Sequence, residues 1–589
     1  MTDEAHPMAG GPLVLVVGAG PVGLTAAHEL ARHGVRVRLV DAAEGPATTS
    51  RALATHARTL ETYDQMGVLD DVLPHGRQVE HFTLHQNGRR LIRFDTDYSR
   101  LPTRFPFTLM VDQVITEAAL RGAAARRGVA VEWGVRLTSF EDRGDGVTCE
   151  LAHADGRTET VEAAWLVGCD GGHSTVRKAL GLKLVGESSE TWLIADALVD
   201  CDLPRDSIHW MRTPAGTVMM VPFPEPGKWR LLDTADVSYG GDDEAVARRF
   251  QHKITIGTGR DARVEPPSWV SVFTIQQRMI PAMREGRCLL AGDAAHVHSP
   301  ASGQGMNTGV QDAYNLAWKL ASVLRGTAAD NLLDTYGAER VPVGAALLKS
   351  TRMATLLVRL RSRTMATVLR AMFSVVKAVP PLKSRIERKI MGGMSALDLT
   401  YADGPLTPGD GNGDAAGAIP GALRPGGRAA RVTGPRHTAS AGWREFTTEL
   451  RRPEWILLTA PADARRTELC ELARAYDGVV RVRAVTDDPT DAGPLPLADP
   501  GGHLRADLGL SPGGWLLVRP DGYAAAVGGA ADTPRRALEG LGVRPDRGEG
   551  TGDALRDAPP AVAAAHPTAE KTVSPEPMTE VDRGLPTAR

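Results

Sequence analysis

The chain has 589 residues, a net charge of -3, 42% hydrophobic and 5% aromatic content; it exceeds one ordinary domain, and its balanced charge gives no reason to invoke nucleic acid. No apolar run approaches the roughly 20 residues that span a bilayer, and the start, with Asp3 and Glu4, does not read as a secretory signal. Five cysteines (Cys149, Cys169, Cys201, Cys288, Cys470) are odd in number, widely spaced and without a C-x-x-C, which expects free thiols in a reducing cytoplasm and no structural metal.

Leu13 to Val17 reads as a strand running into Gly18-Ala19-Gly20-Pro21-Val22-Gly23, with a helix from Leu24 and a second strand from Val35 to Val40 ending at Asp41. Glycines between strand and helix let a pyrophosphate approach the helix N-terminus, and an acid after the second strand suits a ribose hydroxyl. That pattern expects a dinucleotide and does not separate NAD from FAD. Arg51, among small polar residues, could lie on phosphates or simply in water. Asp112 is a plausible N-cap for a helix opening at Gln113.

Residues 129 to 170 read as strands, the last of which, Trp165 to Val167, ends in Gly168-Cys169-Asp170-Gly171-Gly172-His173. Strand ends of this kind carry ligand contacts in α/β enzymes. His173 sits in a turn and is assigned no catalysis. From 181 to 280 short strands dominate, an antiparallel insert whose Trp210, Met211, Met219, Met220, Phe223 and Trp229 are core at strand spacing, with one or two able to face a substrate. A third junction follows: a strand into Gly292-Asp293, then a loop of small residues through Asn307, then an amphipathic helix. Residues 349 to 386 are basic and amphipathic, and are read as packed on the protein itself rather than on a membrane. A Gly/Pro-rich linker over 401–427 precedes a small α/β module at 428–546, and a tail at 547–589 has the composition of a disordered segment.

Taken in order and spacing, the three junctions resemble those of the class A flavin-dependent aromatic hydroxylases, the p-hydroxybenzoate hydroxylase and phenol hydroxylase superfamily, over residues 13 to about 400. The resemblance implies an α/β fold: a Rossmann-like FAD-binding domain in two parts, 12–180 and 281–400, the second part including a helical region, with the 181–280 sheet inserted as substrate domain. Gly18, Gly20, Pro21, Val22 and Gly23 match the family's FAD fingerprint, and Asp41 its adenosine-ribose acid. Arg51 and Gln113 match cofactor-touching positions, Asp170 the Asp-Gly motif and Gly292-Asp293 the Gly-Asp motif that binds the FAD sugar chain. Pro300, Gly303, Gln304, Gly305, Met306 and Asn307 match the segment along the flavin ring, although Ser299 and Ser302 replace a frequent proline and glycine.

The C-terminal module, with Val518-Arg519-Pro520-Asp521-Gly522-Tyr523, resembles the thioredoxin-like domain of the polyketide-hydroxylase branch. It lacks a cysteine pair, which leaves a structural or oligomerisation role, the homo-oligomer being one outcome. The implied activity is an FAD-dependent monooxygenase. NADPH or NADH reduces the flavin, O2 adds to give a flavin 4a-hydroperoxide, and oxygen passes to an aromatic or polyketide-type small molecule. Amides at the helix start after Gly303 would stabilise the negative edge of reduced flavin. Baeyer–Villiger or epoxidising oxygenation of a polyketide is the alternative on the same fold. A flavin halogenase lacks its W-x-W-x-I-P motif here, an NAD dehydrogenase would not need Gly292-Asp293, and a non-catalytic flavin scaffold would not need every junction intact. No catalytic acid or base is assigned.

Overall fold

Val14, Leu15 and Val16 are fully buried, as expected of a strand covered on both faces. Leu13–Val17 pairs in parallel with Arg36–Asp41 on one side and Trp165–Gly168 on the other. Cys288–Leu290 then joins Trp165–Gly168 in parallel, and Val131–Trp133 joins Arg36–Asp41. With the antiparallel edge Arg284–Glu285 this makes a six-stranded sheet. Strands far apart in sequence thus end side by side, which is what brings the three glycine junctions together. Helices Pro21–Arg32 and Gly305–Leu324 pack against each other, and both bury side chains in the same core.

The computed structural model describes residues 11–95, 102–298, 303–359, 372–373, 376, 378–407, 423–432, 435–460, 466–488, 496–529 and 532–546. Pro300, the tail at 547–589, and parts of the basic stretch and the linker lie outside the described residues. The described ends of that linker are packed: Leu406 and Leu423 are buried in the cores of the C-terminal module.

The second sheet has nine strands and is antiparallel along most of its length. Six come from the stretch read as the insert: Val185–Cys201, Ser207–Thr213, Gly216–Pro222, Lys228–Asp233, Ala262–Val264 and Trp269–Met279. The sheet also recruits His81–Gln86 and Arg89–Asp95 from far upstream, through a parallel pairing of Ser207–Thr213 with His81–Gln86. Strand alternation sorts the bulky residues by face. Trp210, Met219 and Phe223 pack with Leu53 and Met110 of the cofactor side, whereas Met211, Met220 and Trp229 pack with Val246 and Phe250 of helix Asp243–Thr258.

The C-terminal module is a five-stranded mixed sheet. Trp455–Thr459 lies parallel to Val480–Thr486 and antiparallel to Trp515–Val518. Its loop at 519–523 reaches into the first core: Arg519 bonds Glu339 at 2.6 and 2.9 Å, and Arg58 donates to the Asp521 carbonyl at 3.0 Å.

Candidate active site

The fingerprint turn is built as its residues require. Gly18 has φ +102°, and a Cβ there would meet the Cys169 carbonyl oxygen at 2.5 Å, so neither another backbone shape nor a side chain is accommodated. Helix Pro21–Arg32 then starts on Gly20 with no side-chain cap and no acid in its first turn, leaving first-turn amides without an intrahelical acceptor. Asp41, at the end of the neighbouring strand, accepts the Ala19 amide at 2.6 Å and the Ala43 amide at 2.8 Å, which holds the turn against it.

The second and third junctions are tied to each other. Arg177 donates to the Gly172 carbonyl at 2.8 Å and to the Ala294 carbonyl at 3.1 Å, spanning the two turns. Asp170 accepts from the Ser174 hydroxyl and from the Thr175 and Val176 amides, at 2.5, 2.6 and 3.2 Å. Its carboxylate therefore caps the short helix Thr175–Ala179 and shapes the turn rather than standing free in the cleft. A cavity of about 560 Å³ opens beside it, with His173, Lys178, Lys183, Phe273 and His298 among its walls.

Asp293 is exposed to solvent, on a turn whose flanking Gly292 and Ala294 are buried and pack the protein closely beneath it. Desolvation on that packed side raises its pKa, His296 and Arg51 pull it back down, and Asp312 adds to the rise. Behind the turn, Asp312 accepts from the Gly292 amide (3.2 Å), His296 Nε2 (2.5 Å) and Arg340 Nε (2.7 Å). Burial alone would raise the Asp312 pKa, but His296 and Arg340 outweigh it and hold it at about 2. His296 Nδ1 meets His298 Nε2 at 2.7 Å, and His298 Nδ1 has no partner among the described residues. Nothing in the spacing of these residues flagged the cluster; the Arg340 contribution comes from a separate helix.

Gln113 accepts the Ala52 amide at 2.8 Å and so fixes the loop that carries Arg51. The Asp112 carboxylate does not cap helix Gln113–Arg126 as expected; Ser50 Oγ accepts the Val114 amide at 3.4 Å instead. In the flavin-ring segment, Gly303 has φ +62° and Gln304 donates to the Gly393 carbonyl at 2.9 Å. Gly305 opens helix Gly305–Leu324, and Met306 packs partly on the core. Asn307 is buried, accepting from the His56 amide and donating to the Ala54 and Gly303 carbonyls at 2.8 to 2.9 Å. Its side chain is consumed in stapling the loop, so only its backbone is left for a ligand.

The FAD binding domain model matches residues 13–351, more than half of the chain and all three junctions. The chain belongs to this FAD-binding family. Among relatives, 6-methylpretetramide 4-monooxygenase of Streptomyces rimosus is 54% identical over 94% of this chain and 98% of its own length. OxyS anhydrotetracycline hydroxylase from the same species superposes with a TM-score of 0.69 at 31% identity, covering 91% of this chain and 99% of that one. Aklavinone-11 hydroxylase, solved in a ternary complex with FAD and aklavinone, gives 0.64 at 26% over 92% and 99%. The protein is thus a flavin-dependent monooxygenase that uses FAD, a nicotinamide reductant and O2.

The cradle fits that cofactor. Gly20 and Gly305 have nothing within 4 Å of where a Cβ would lie, so no protein neighbour explains their lack of side chain. Both stand at starts of long helices without first-turn acids, the arrangement that suits an anion or an electron-rich ring edge. Among the described residues no metal-ligating cluster occurs, and no helix is long and apolar enough to cross a membrane.

Buried neutral histidines make a pH prediction. Burial first, then the charge of His296 or Arg32, holds His298 and His33 well below the ordinary histidine range. The unfolded chain binds protons at both sites below about pH 6.5 that the native chain refuses, so this stability is full above that pH and lost as pH falls. Going from about pH 7.5 to about 5.5 is expected to cost about 3 kcal/mol at these two sites and to lower the melting temperature by about 2 °C. His298→Gln should flatten part of that slope; a melting temperature constant across the range would contradict the assignment.

Proposed function

We propose that this monooxygenase hydroxylates a polycyclic phenolic polyketide of the pretetramide type. The observation that carries the reading is the 54% identity to 6-methylpretetramide 4-monooxygenase, maintained over nearly the full length of both chains. The aromatic content of the nine-stranded sheet on the cofactor side supports it, with Phe82, Trp269 and Phe273 only partly covered over a buried layer of Trp192, Trp210 and Phe223. Bound FAD, reduced by NAD(P)H, supplies the activated oxygen. The chain's own residues bind the cofactor, orient the substrate ring and keep water out.

In this reading the turn at Gly18–Gly23 and the amides of helix Pro21–Arg32 hold the pyrophosphate, and Asp41 the adenosine ribose. Arg51, Gln113 and Asp293 flank the sugar chain, and the backbone of 303–307 lies along the isoalloxazine. Asp170 acts by shaping its turn, as its three hydrogen bonds support. The mixed C-terminal sheet supports a thioredoxin-like module, and its lone Cys470 supports a structural rather than redox role.

The test is to incubate purified holoprotein with NADPH, a panel of phenolic polycyclic substrates and isotopically heavy O2, then locate the incorporated atom by mass spectrometry and NMR. A phenolic hydroxyl is expected; a ring-expanded lactone or an epoxide would favour the alternative chemistry, and a colourless protein would overturn the cofactor site. Asp293→Ala should lower FAD occupancy about tenfold, the scale of losing one charge-assisted hydrogen bond. Unchanged flavin content would remove Asp293 from the site.

A further inference from the structure

Arg230 lies on the strand Lys228–Asp233 of the nine-stranded sheet and is 4% exposed. Its guanidinium carbon lies over the Phe223 and Trp269 rings, 5.3 and 5.5 Å from their centroids. On its own sheet it forks onto Asp196, its cross-strand neighbour, with both bonds at 2.8 Å. Its remaining bonds leave the sheet. Nη1 donates to the Arg51 carbonyl at 2.8 Å and Nη2 to the Ser50 carbonyl at 2.7 Å.

Those two carbonyls belong to the loop that Gln113 grips from the other side through the Ala52 amide. The loop is thus hung between the sheet and helix Gln113–Arg126, while the Arg51 side chain stays exposed and close enough to Asp293 for its charge to act there. An arginine whose task was only to neutralise Asp196 would not need donors aimed at a neighbouring element. A lysine could not replace it, having one nitrogen where four bonds in two directions are made.

We propose that Arg230 is a positioning residue for the cofactor site: from the sheet it fixes the main chain at Ser50 and Arg51 so that the Arg51 side chain is presented to FAD beside Asp293. This rests on the reading of Arg51 as a cofactor contact. The sheet that walls the substrate and the loop that meets the cofactor are then one rigid piece, although 180 residues separate Arg230 from Ser50 in sequence.

The test is a double-mutant cycle on FAD affinity, read by flavin fluorescence as apoprotein is titrated, with thermal unfolding of each apoprotein as the folding control. Arg230→Lys and Arg51→Ala should each weaken binding about tenfold, the scale of one hydrogen bond to a charged group. The double variant should bind no more weakly than the weaker single one. Multiplying losses would overturn the proposal, as would wild-type affinity in Arg230→Lys. Full affinity in Arg51→Ala would instead show that the reading of Arg51 is at fault, and the proposal falls with it. Where Arg230→Lys does not fold, Arg230→Gln, which keeps one donor for a carbonyl, takes its place in the same cycle with the same expectations.

Discussion

Arg519→Met is expected to destabilise the native protein by about 3–5 kcal/mol, the cost of leaving a buried charge uncompensated. Arg519 is almost wholly buried and sits among Glu339, Asp521 and Lys319, which are equally enclosed. Two cations face two anions, with Asn315 donating to both Glu339 and Asp521. Removing the arginine leaves one excess negative charge where water cannot reach it. Asp521→Asn added to Arg519→Met restores neutrality, so the double variant should recover part of the loss. Urea unfolding followed by tryptophan fluorescence provides the measurement, because the guanidinium lies 5.4 Å from the Trp318 ring. A double variant no more stable than Arg519→Met would show that packing, rather than charge balance, governs the loop.

Gly20→Val should produce the opposite pattern, a folded protein without cofactor. A Cβ at Gly20 meets nothing within 4 Å and the backbone there is extended, φ -74° and ψ -176°, so valine is tolerated sterically by the protein. The stability cost is that of a poorer N-cap, about 1 kcal/mol. Its methyl groups would occupy the space left open at the helix start, and FAD affinity should fall about a hundredfold or more, equivalent to losing roughly 3 kcal/mol of contacts. Melting of the apoprotein and flavin content after purification separate the two effects. A yellow Gly20→Val protein would place the pyrophosphate elsewhere. Gly23→Val should also lose flavin but for another reason, since a Cβ there falls 1.7 Å from the Gly18 carbonyl oxygen and the turn itself would break.

Much of the cradle was readable because its parts are local. A strand, a glycine turn and a helix start are contiguous at Gly18 to Gly23, so the residue pattern contains the geometry. The adjacency of the three junctions followed from family resemblance, and parallel pairing of Leu13–Val17, Trp165–Gly168 and Cys288–Leu290 supplies its physical form. What residue types do not reveal is who takes each hydrogen bond. Asp170 and Asn307 sit at motif positions, yet both spend their side chains on the protein. Ser50 does the capping that Asp112 seemed placed to do. Trp210 and Met211 were indistinguishable as core until the sheet's two faces were assigned by their neighbours. Arg230 was invisible for the plainest reason: its partners are distant in sequence and two of them are backbone atoms, which carry no residue signature.

The parallel pairing of His81–Gln86 with Ser207–Thr213 bears on how the chain is made. His81–Gln86 pairs early with Arg89–Asp95, but its other edge stays open for over a hundred further residues, and the six-stranded sheet likewise waits for Cys288–Leu290. Lys319 and Glu339 have each other by residue 339, but the cluster's last cation and anion arrive only with Arg519 and Asp521. Assembly dominated by such late, distant contacts is slow and exposes unpaired edges meanwhile. The nascent polypeptide therefore depends on its own final fifth to seal what its first fifth began, and synthesis cut short before the 519–523 loop yields a sealed cofactor half in no part of the chain.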